Sequence, residues 1–317
     1  MKLKFEELKD LSNINSDLFS VSNLDDAYLF CKALANEHYE NFPVGSFIIP
    51  SKLRKHFFAI YSYARIADDI SDEFIEIESD ERTLVLSQLK YSIDHINEIG
   101  NSSKKNPILF ALLDTIDIFK IDISILNRLL IAFQKDINRE GLTEDSQINN
   151  YEDLIDYCHY SANPIGELIL SLFLENTKTN IELSNNICTA LQLINFWQDL
   201  SIDLNNNRFF IPTEILKIYD INKESLLLPK ENHKFDNLLF ELLNFTEATL
   251  LNGKDLVKFV KPIRLKIELA ITFEAGMQMI VKCRKLGSLL TKERPKLSRF
   301  DYFIIFIKTI IFHRLFI

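Results

Sequence analysis

The stretch Gln192-Leu193-Ile194-Asn195-Phe196-Trp197-Gln198-Asp199-Leu200-Ser201-Ile202-Asp203 sets the tightest condition on the fold. Leu191, Leu193, Ile194, Phe196, Trp197, Leu200 and Ile202 give it the apolar bulk of a buried helix. Gln192, Asn195, Asp199 and Asp203, spaced by three, four and four, share one face of such a helix. A polar stripe ending in two carboxylates one turn apart is costly in a core unless something neutralises it. A second acidic cluster, Asp68, Asp69, Asp72 and Glu73, lies far upstream. The fold has to provide counter-charge for both, and one way is to turn the two toward each other.

The remaining chain reads as helices. Seven Gly and eight Pro in 317 residues are too few turn residues for a sheet-rich fold, so an all-α architecture is expected. Residues 1–24 read as a loose lead-in, and a helix follows from Leu24 to about Tyr39. Pro43, Gly45 and Pro50 break it, and Ser51 is a candidate N-cap. From Ser51 to Phe74, Phe58, Tyr61, Arg65, Asp68 and Asp72 line one face. Further helices are expected over 80–100, over 108–138 with a break near Lys120-Ile121-Asp122, and from Tyr151 through Glu167 with a kink at Pro164. Others are expected over 180–204, from Thr213, over 235–259 and over 263–290.

The run Asp68 to Glu73 fits a solvated helix end as well as a site. Two features favour a site. The acids follow the apolar run from Phe57 to Tyr61, and they sit near a helix C-terminus, where the macrodipole disfavours anions. His159 reads as structural. Tyr157 and Tyr160 share a face and fit core packing or a cavity wall equally well. Asn163-Pro164 with Gly166 allows a close approach by a backbone or a ligand.

If the two acidic faces converge, hard divalent cations resolve the repulsion, and Mg²⁺ is satisfied by a few carboxylates plus phosphates and water. Such a centre facing an aromatic, apolar cavity suits an amphiphile with a diphosphate head. The metal would neutralise the leaving diphosphate, Arg65 and Arg208 could donate to it, and aromatic faces could stabilise a carbocation.

A net charge of −9 argues against a nucleic-acid partner. No Gly-rich nucleotide loop is present. Cys31, Cys158, Cys188 and Cys283 are scattered, which fits a reducing cytoplasm, and the N-terminus lacks the apolar core of a secretory signal. Residues 281–317 carry nine Lys/Arg against Glu293 and Asp301, a net +7. The apolar tail from Phe300 to Arg314 is short for a spanning helix. It fits an interfacial helix or a last core helix, so segment 291–317 is a candidate for peripheral membrane contact.

Arg65-Ile66-Ala67-Asp68-Asp69-Ile70-Ser71-Asp72-Glu73 and the stretch from Gln192 to Asp203 resemble the two DxxxD motifs of the squalene/phytoene synthase family. Tyr157 to Gly166 is similar to that family's tyrosine-rich helix. The resemblance covers roughly residues 25–290 and implies a single-domain isoprenoid-synthase-type helical bundle with a central cavity. It implies Asp68, Asp72, Asp199 and Asp203 as Mg²⁺ ligands. It places Phe42, Arg65, Gln192, Asn195 and Arg208 by the substrate, and Tyr157 and Tyr160 in the reaction cavity. Within the family, the stretches 40–46, 161–166 and 195–199 look most like bacterial hydroxysqualene synthases of hopanoid pathways.

That likeness implies conversion of presqualene diphosphate to hydroxysqualene with release of diphosphate. Water would end the reaction, so no NAD(P)H is expected, and the product would be handed to other squalene-pathway enzymes. Head-to-head condensation, as in presqualene diphosphate or phytoene synthesis, is the alternative activity. An inactive helical scaffold is the alternative from another class. Phe210, where many relatives have Tyr, and Glu167, where close relatives often have Arg, depart from the family pattern.

Overall fold

Helices form wherever apolar residues keep a spacing of three and four. The computed structural model describes residues 3–37, 49–101, 105–139, 148–206, 208–222 and 233–313. Among these residues every regular element is a helix, and strand-type pairing is limited to an isolated bridge between Val21 and Lys105. The all-α expectation holds. Contacts divide the chain into two compact units, Met1–Leu142 with Glu167–Asn176, and Thr143–Gly166 with Thr177–Ile317.

The first unit contains α1 (Phe5–Leu11), α2 (Leu24–Glu37), α3 (Ser51–Asp72), α4 (Ser79–Asp94), α5 (Pro107–Phe119) and α6 (Ile123–Arg139). Helix α3 packs against the other five, burying Ala59, Tyr63, Ile66, Ala67 and Ile70. The expected loose lead-in is instead anchored, because Phe5, Leu8 and Leu11 of α1 lie in this core. Pro50, not Ser51, is the N-cap of α3, and it makes no side-chain cap bond. The expected break near Lys120 is present, with Lys120 in the left-handed region at φ 51°.

Buried polar groups hold α3 in place. The Tyr28 hydroxyl donates to Asp114 (2.7 Å) and Thr115 donates to the Ala111 carbonyl (2.8 Å). His56 Nδ1 lies 2.9 Å from both the Tyr28 and Thr115 oxygens. With both hydroxyl protons committed, Nδ1 is the donor. Burial lowers the His56 pKa, so the ring is neutral and ties α2, α3 and α5 together. At the other end of α3, buried Arg82 donates from Nη1 to the Ser71 carbonyl (2.7 Å) and from Nε to the Ile77 carbonyl (3.2 Å). It satisfies a carbonyl that the helix end leaves open.

The second unit contains α7 (Tyr151–Ser161), the first residues of α8 (Asn163–Leu172), α9 (Lys178–Gln198), α10 (Leu200–Asn205) and α11 (Thr213–Ile218). It continues with α12 (His233–Asn252), α13 (Leu256–Phe259), α14 (Ile263–Leu286) and α15 (Arg299–His313). Helix α9 is central and packs on α7, α12 and α14. Trp197, 1% exposed, donates from Nε1 to Thr246 of α12 (2.9 Å).

Three expected helices are each interrupted, the one drawn over 235–259 between Asn252 and Leu256. The one drawn from Tyr151 through Glu167 breaks at Ala162, and Pro164 falls in the first turn of α8, where no backbone donor is needed. Gly166 serves helix packing, since a Cβ there would lie 2.3 Å from Ser184 Oγ of α9. The helix drawn over 180–204 breaks at Asp199.

Candidate active site

The last turn of α3 brings Asp68, Asp69 and Asp72 together, with Arg65 one turn earlier. Arg65 Nη1 donates to Asp68 (3.1 Å) and Nη2 to Glu73 (2.8 Å), and the guanidinium also pairs with buried Asp69. Asp72 is exposed and accepts from the Ser71 hydroxyl (2.8 Å). Burial, then the neighbouring Asp72 carboxylate, push Asp68 up to about 7 against the pull of Arg65. Crowded carboxylates at the negative end of a helix favour a cation beside them.

The second motif straddles the break between α9 and α10. Asp199 leaves helical geometry at φ −96° and ψ 9°. Nevertheless its N–H donates to the Asn195 carbonyl (2.8 Å), and the Asp203 N–H donates to the Asp199 carbonyl (2.9 Å). One turn therefore still separates each member of the stripe from the next. Asn195 is exposed, Gln192 and Asp199 are half-buried, and Asp203 is buried.

Both acids carry an arginine. Arg294 takes Asp199 through Nε and Nη2, the latter at 3.2 Å from Oδ2. Arg208 Nε lies 3.3 Å from Asp203 Oδ1, and its backbone N–H donates to the Asp203 carbonyl (2.8 Å). Gln198 Nε2 donates to the Pro295 carbonyl (3.0 Å), fixing the segment that carries Arg294.

Tyr157 is buried with its ring centroid 5.8 Å from Phe196 and 5.7 Å from Phe210. Phe196 and Phe210 stack at 3.9 Å and 9°. Phe210 thus completes an aromatic trio of which the sequence identified only Tyr157. Tyr160 is half-buried and lies edge-on to exposed His159 at 5.0 Å. Phe42 lies outside the described residues. Glu167, the departure from the family pattern, belongs with the first unit, buried and paired with Arg128.

Sequence reasoning missed Arg82, Arg128 and Arg294. A basic run from Lys292 to Arg299 was the only signal for the last, and helical periodicity carried none for the others.

Among the described residues, no group of three or more His, Cys, Asp or Glu could hold a metal ion by protein ligands alone. The donors present are carboxylate pairs one turn apart, hard oxygen ligands accompanied by arginines. That donor chemistry fits Mg²⁺, which takes one or two carboxylates and completes its shell with phosphate and water.

The family model for squalene/phytoene synthase matches residues 35–301. The hydroxysqualene synthase of Sinorhizobium fredii is 31% identical over 82% of this chain and 84% of its own length. The hydroxysqualene synthase of Zymomonas mobilis is 33% identical over 56% of each chain. The crystal structure of squalene synthase HpnC from Alicyclobacillus acidocaldarius superposes with a TM-score of 0.74 at 28% identity, over 83% of this chain and 95% of that one. The matched region contains Arg65 to Glu73, Tyr157 to Gly166 and Gln192 to Asp203, so the chain belongs to the squalene/phytoene synthase family and is an enzyme of that type.

Proposed function

We propose that this enzyme converts presqualene diphosphate and water to hydroxysqualene and diphosphate, with Mg²⁺, in squalene and hopanoid biosynthesis. The observation that carries the proposal is the pair of acidic motifs, each with two aspartates one turn apart and arginine against its carboxylates. Similarity to hydroxysqualene synthases supports this reading over the family's other reactions.

When bound, Mg²⁺ supplies positive charge to the leaving diphosphate, with Asp68, Asp72, Asp199 and Asp203 as its protein ligands. Arg65, Arg208 and Arg294 orient the same group, because a guanidinium that gives part of its fork to a carboxylate keeps N–H groups for phosphate oxygens. Gln192 and Asn195 add neutral polar groups along the stripe. The carbon–oxygen bond to diphosphate breaks with its electron pair on the leaving group. The faces of Tyr157 and Phe210 stabilise the positive charge left on the hydrocarbon. Water then forms the new carbon–oxygen bond and loses a proton, so no reductant is consumed.

The test is incubation with presqualene diphosphate and, separately, farnesyl diphosphate, with Mg²⁺ and without NADPH, followed by product identification. Hydroxysqualene from the first and no turnover of the second are expected. Turnover of farnesyl diphosphate alone would replace this reading with head-to-head condensation. Asp68→Asn and Asp199→Asn are each expected to slow diphosphate release by at least about a hundredfold. Full activity in either variant would remove that residue from the metal site.

A further inference from the structure

Helix α15 turns its charge inward and its apolar side chains outward. Asp301 and Thr309 lie on its buried face with Ile305. Asp301 accepts from Lys282 (2.8 Å), from Gln278 (2.9 Å), and from the Ser298 N–H and hydroxyl (2.6 Å each). On the other side Phe300, Tyr302, Phe303, Phe306, Ile307 and Ile311 are exposed, Phe300 by 68% and Ile311 by 61%. At one hundred degrees per residue these six occupy one side of the helix. A soluble helix has the opposite polarity, and a contiguous aromatic face in water marks a contact surface.

The charge around this face indicates what covers it. Lys292, Lys296 and Arg299, against Glu293, are exposed in the segment leading to it, and Lys308 borders it. The acid within the helix, Asp301, is buried and neutralised by Lys282. Aromatic rings with lysine and arginine at their margin suit the headgroup boundary of a bilayer, where rings enter the acyl region and cations meet lipid phosphates. A second copy would bring the same net positive segment against itself, which like-charge repulsion opposes. Among the described residues no helix is long and apolar enough to cross a membrane. We propose that the outer face of α15 docks in the plane of an anionic phospholipid surface. This goes beyond the reaction proposed above and does not depend on it.

The test uses the full chain with vesicles of equal phosphatidylglycerol and phosphatidylcholine, and with phosphatidylcholine alone. Co-sedimentation is expected with the anionic vesicles and is expected to weaken with salt. Phe303→Ser with Phe306→Ser, and separately Lys296→Glu with Arg299→Glu, are each expected to lower the bound fraction about tenfold or more. Ile75→Ser, at an exposed site in the first unit, is expected to change nothing. Tyr302→Trp adds a second tryptophan to the native, buried Trp197, and its emission is expected to shift to the blue with anionic vesicles.

Equal sedimentation with both vesicle types, none with either, or an emission that ignores vesicles would overturn the proposal. So would self-association without vesicles that the Phe303→Ser, Phe306→Ser pair abolishes, because a second copy would then cover the face. Thermal melting checks that each variant is folded. If the serine pair is not, the charge pair and the tryptophan reporter decide the question.

Discussion

At the scale of single residues, Asp301 shows how surroundings decide the meaning of a charge. Burial alone would raise its pKa, but hydrogen bonds from Lys282, Ser298 and Gln278 outweigh it and hold the carboxyl well below the usual range. The folded pKa is lower than that of the unfolded chain, about 3.9. The unfolded chain therefore takes up the proton first as pH falls, and the stabilisation present above about pH 4 is lost below it. Asp301→Asn is expected to lower the melting temperature by several degrees at pH 7. The gap should narrow near pH 3, and a gap independent of pH would mean that packing rather than charge is lost. The aspartates of both motifs were legible because helical spacing puts them on one face. Their partners were not. Arg294 lies 95 residues from Asp199, and an ion pair across that distance leaves no periodic trace.

At the scale of elements, the existence of the long helices was readable, while helix ends and the short α1 were not. No Pro or Gly marks the break at Asp199, so the apolar pattern runs through it. Helix α1 has seven residues, fewer than the windows in which a helical period is recognised, and packing rather than propensity maintains it. Over 235–259 the sequence reads as one helix, whereas the structure breaks it at Gly253 and gives the cause. The residue closes α12 against α9, where a Cβ would lie 2.5 Å from Ile187 Cγ1 and 2.7 Å from the Leu183 carbonyl oxygen. A backbone oxygen in a helix cannot retreat cheaply. Gly253→Ala is therefore expected to destabilise by about 1–3 kcal/mol in urea unfolding. Gly276→Ala meets the end of the Leu250 side chain at 3.0 Å and should cost less, because a leucine can change rotamer. Equal losses at the two positions would show that neither cost comes from the contact named.

At the scale of the molecule, the two motifs lie in different compact units and each has its own arginines, so each could in principle serve a separate step. The proposed reaction requires that they serve one diphosphate. A double-mutant cycle in kcat/KM separates the cases without reference to where the units sit. Asp68→Glu and Asp199→Glu keep the charge and move it by one methylene, so activity should fall without vanishing. If both carboxylates act on the same metal–diphosphate group, the first displacement already spoils what the second would spoil. The combined loss should then fall well short of the sum of the single losses in free energy. The Mg²⁺ concentration for half-maximal rate should rise in both single variants. Losses that add, with that concentration moved by only one variant, would assign the motifs to separate events and remove the single-diphosphate site from the mechanism.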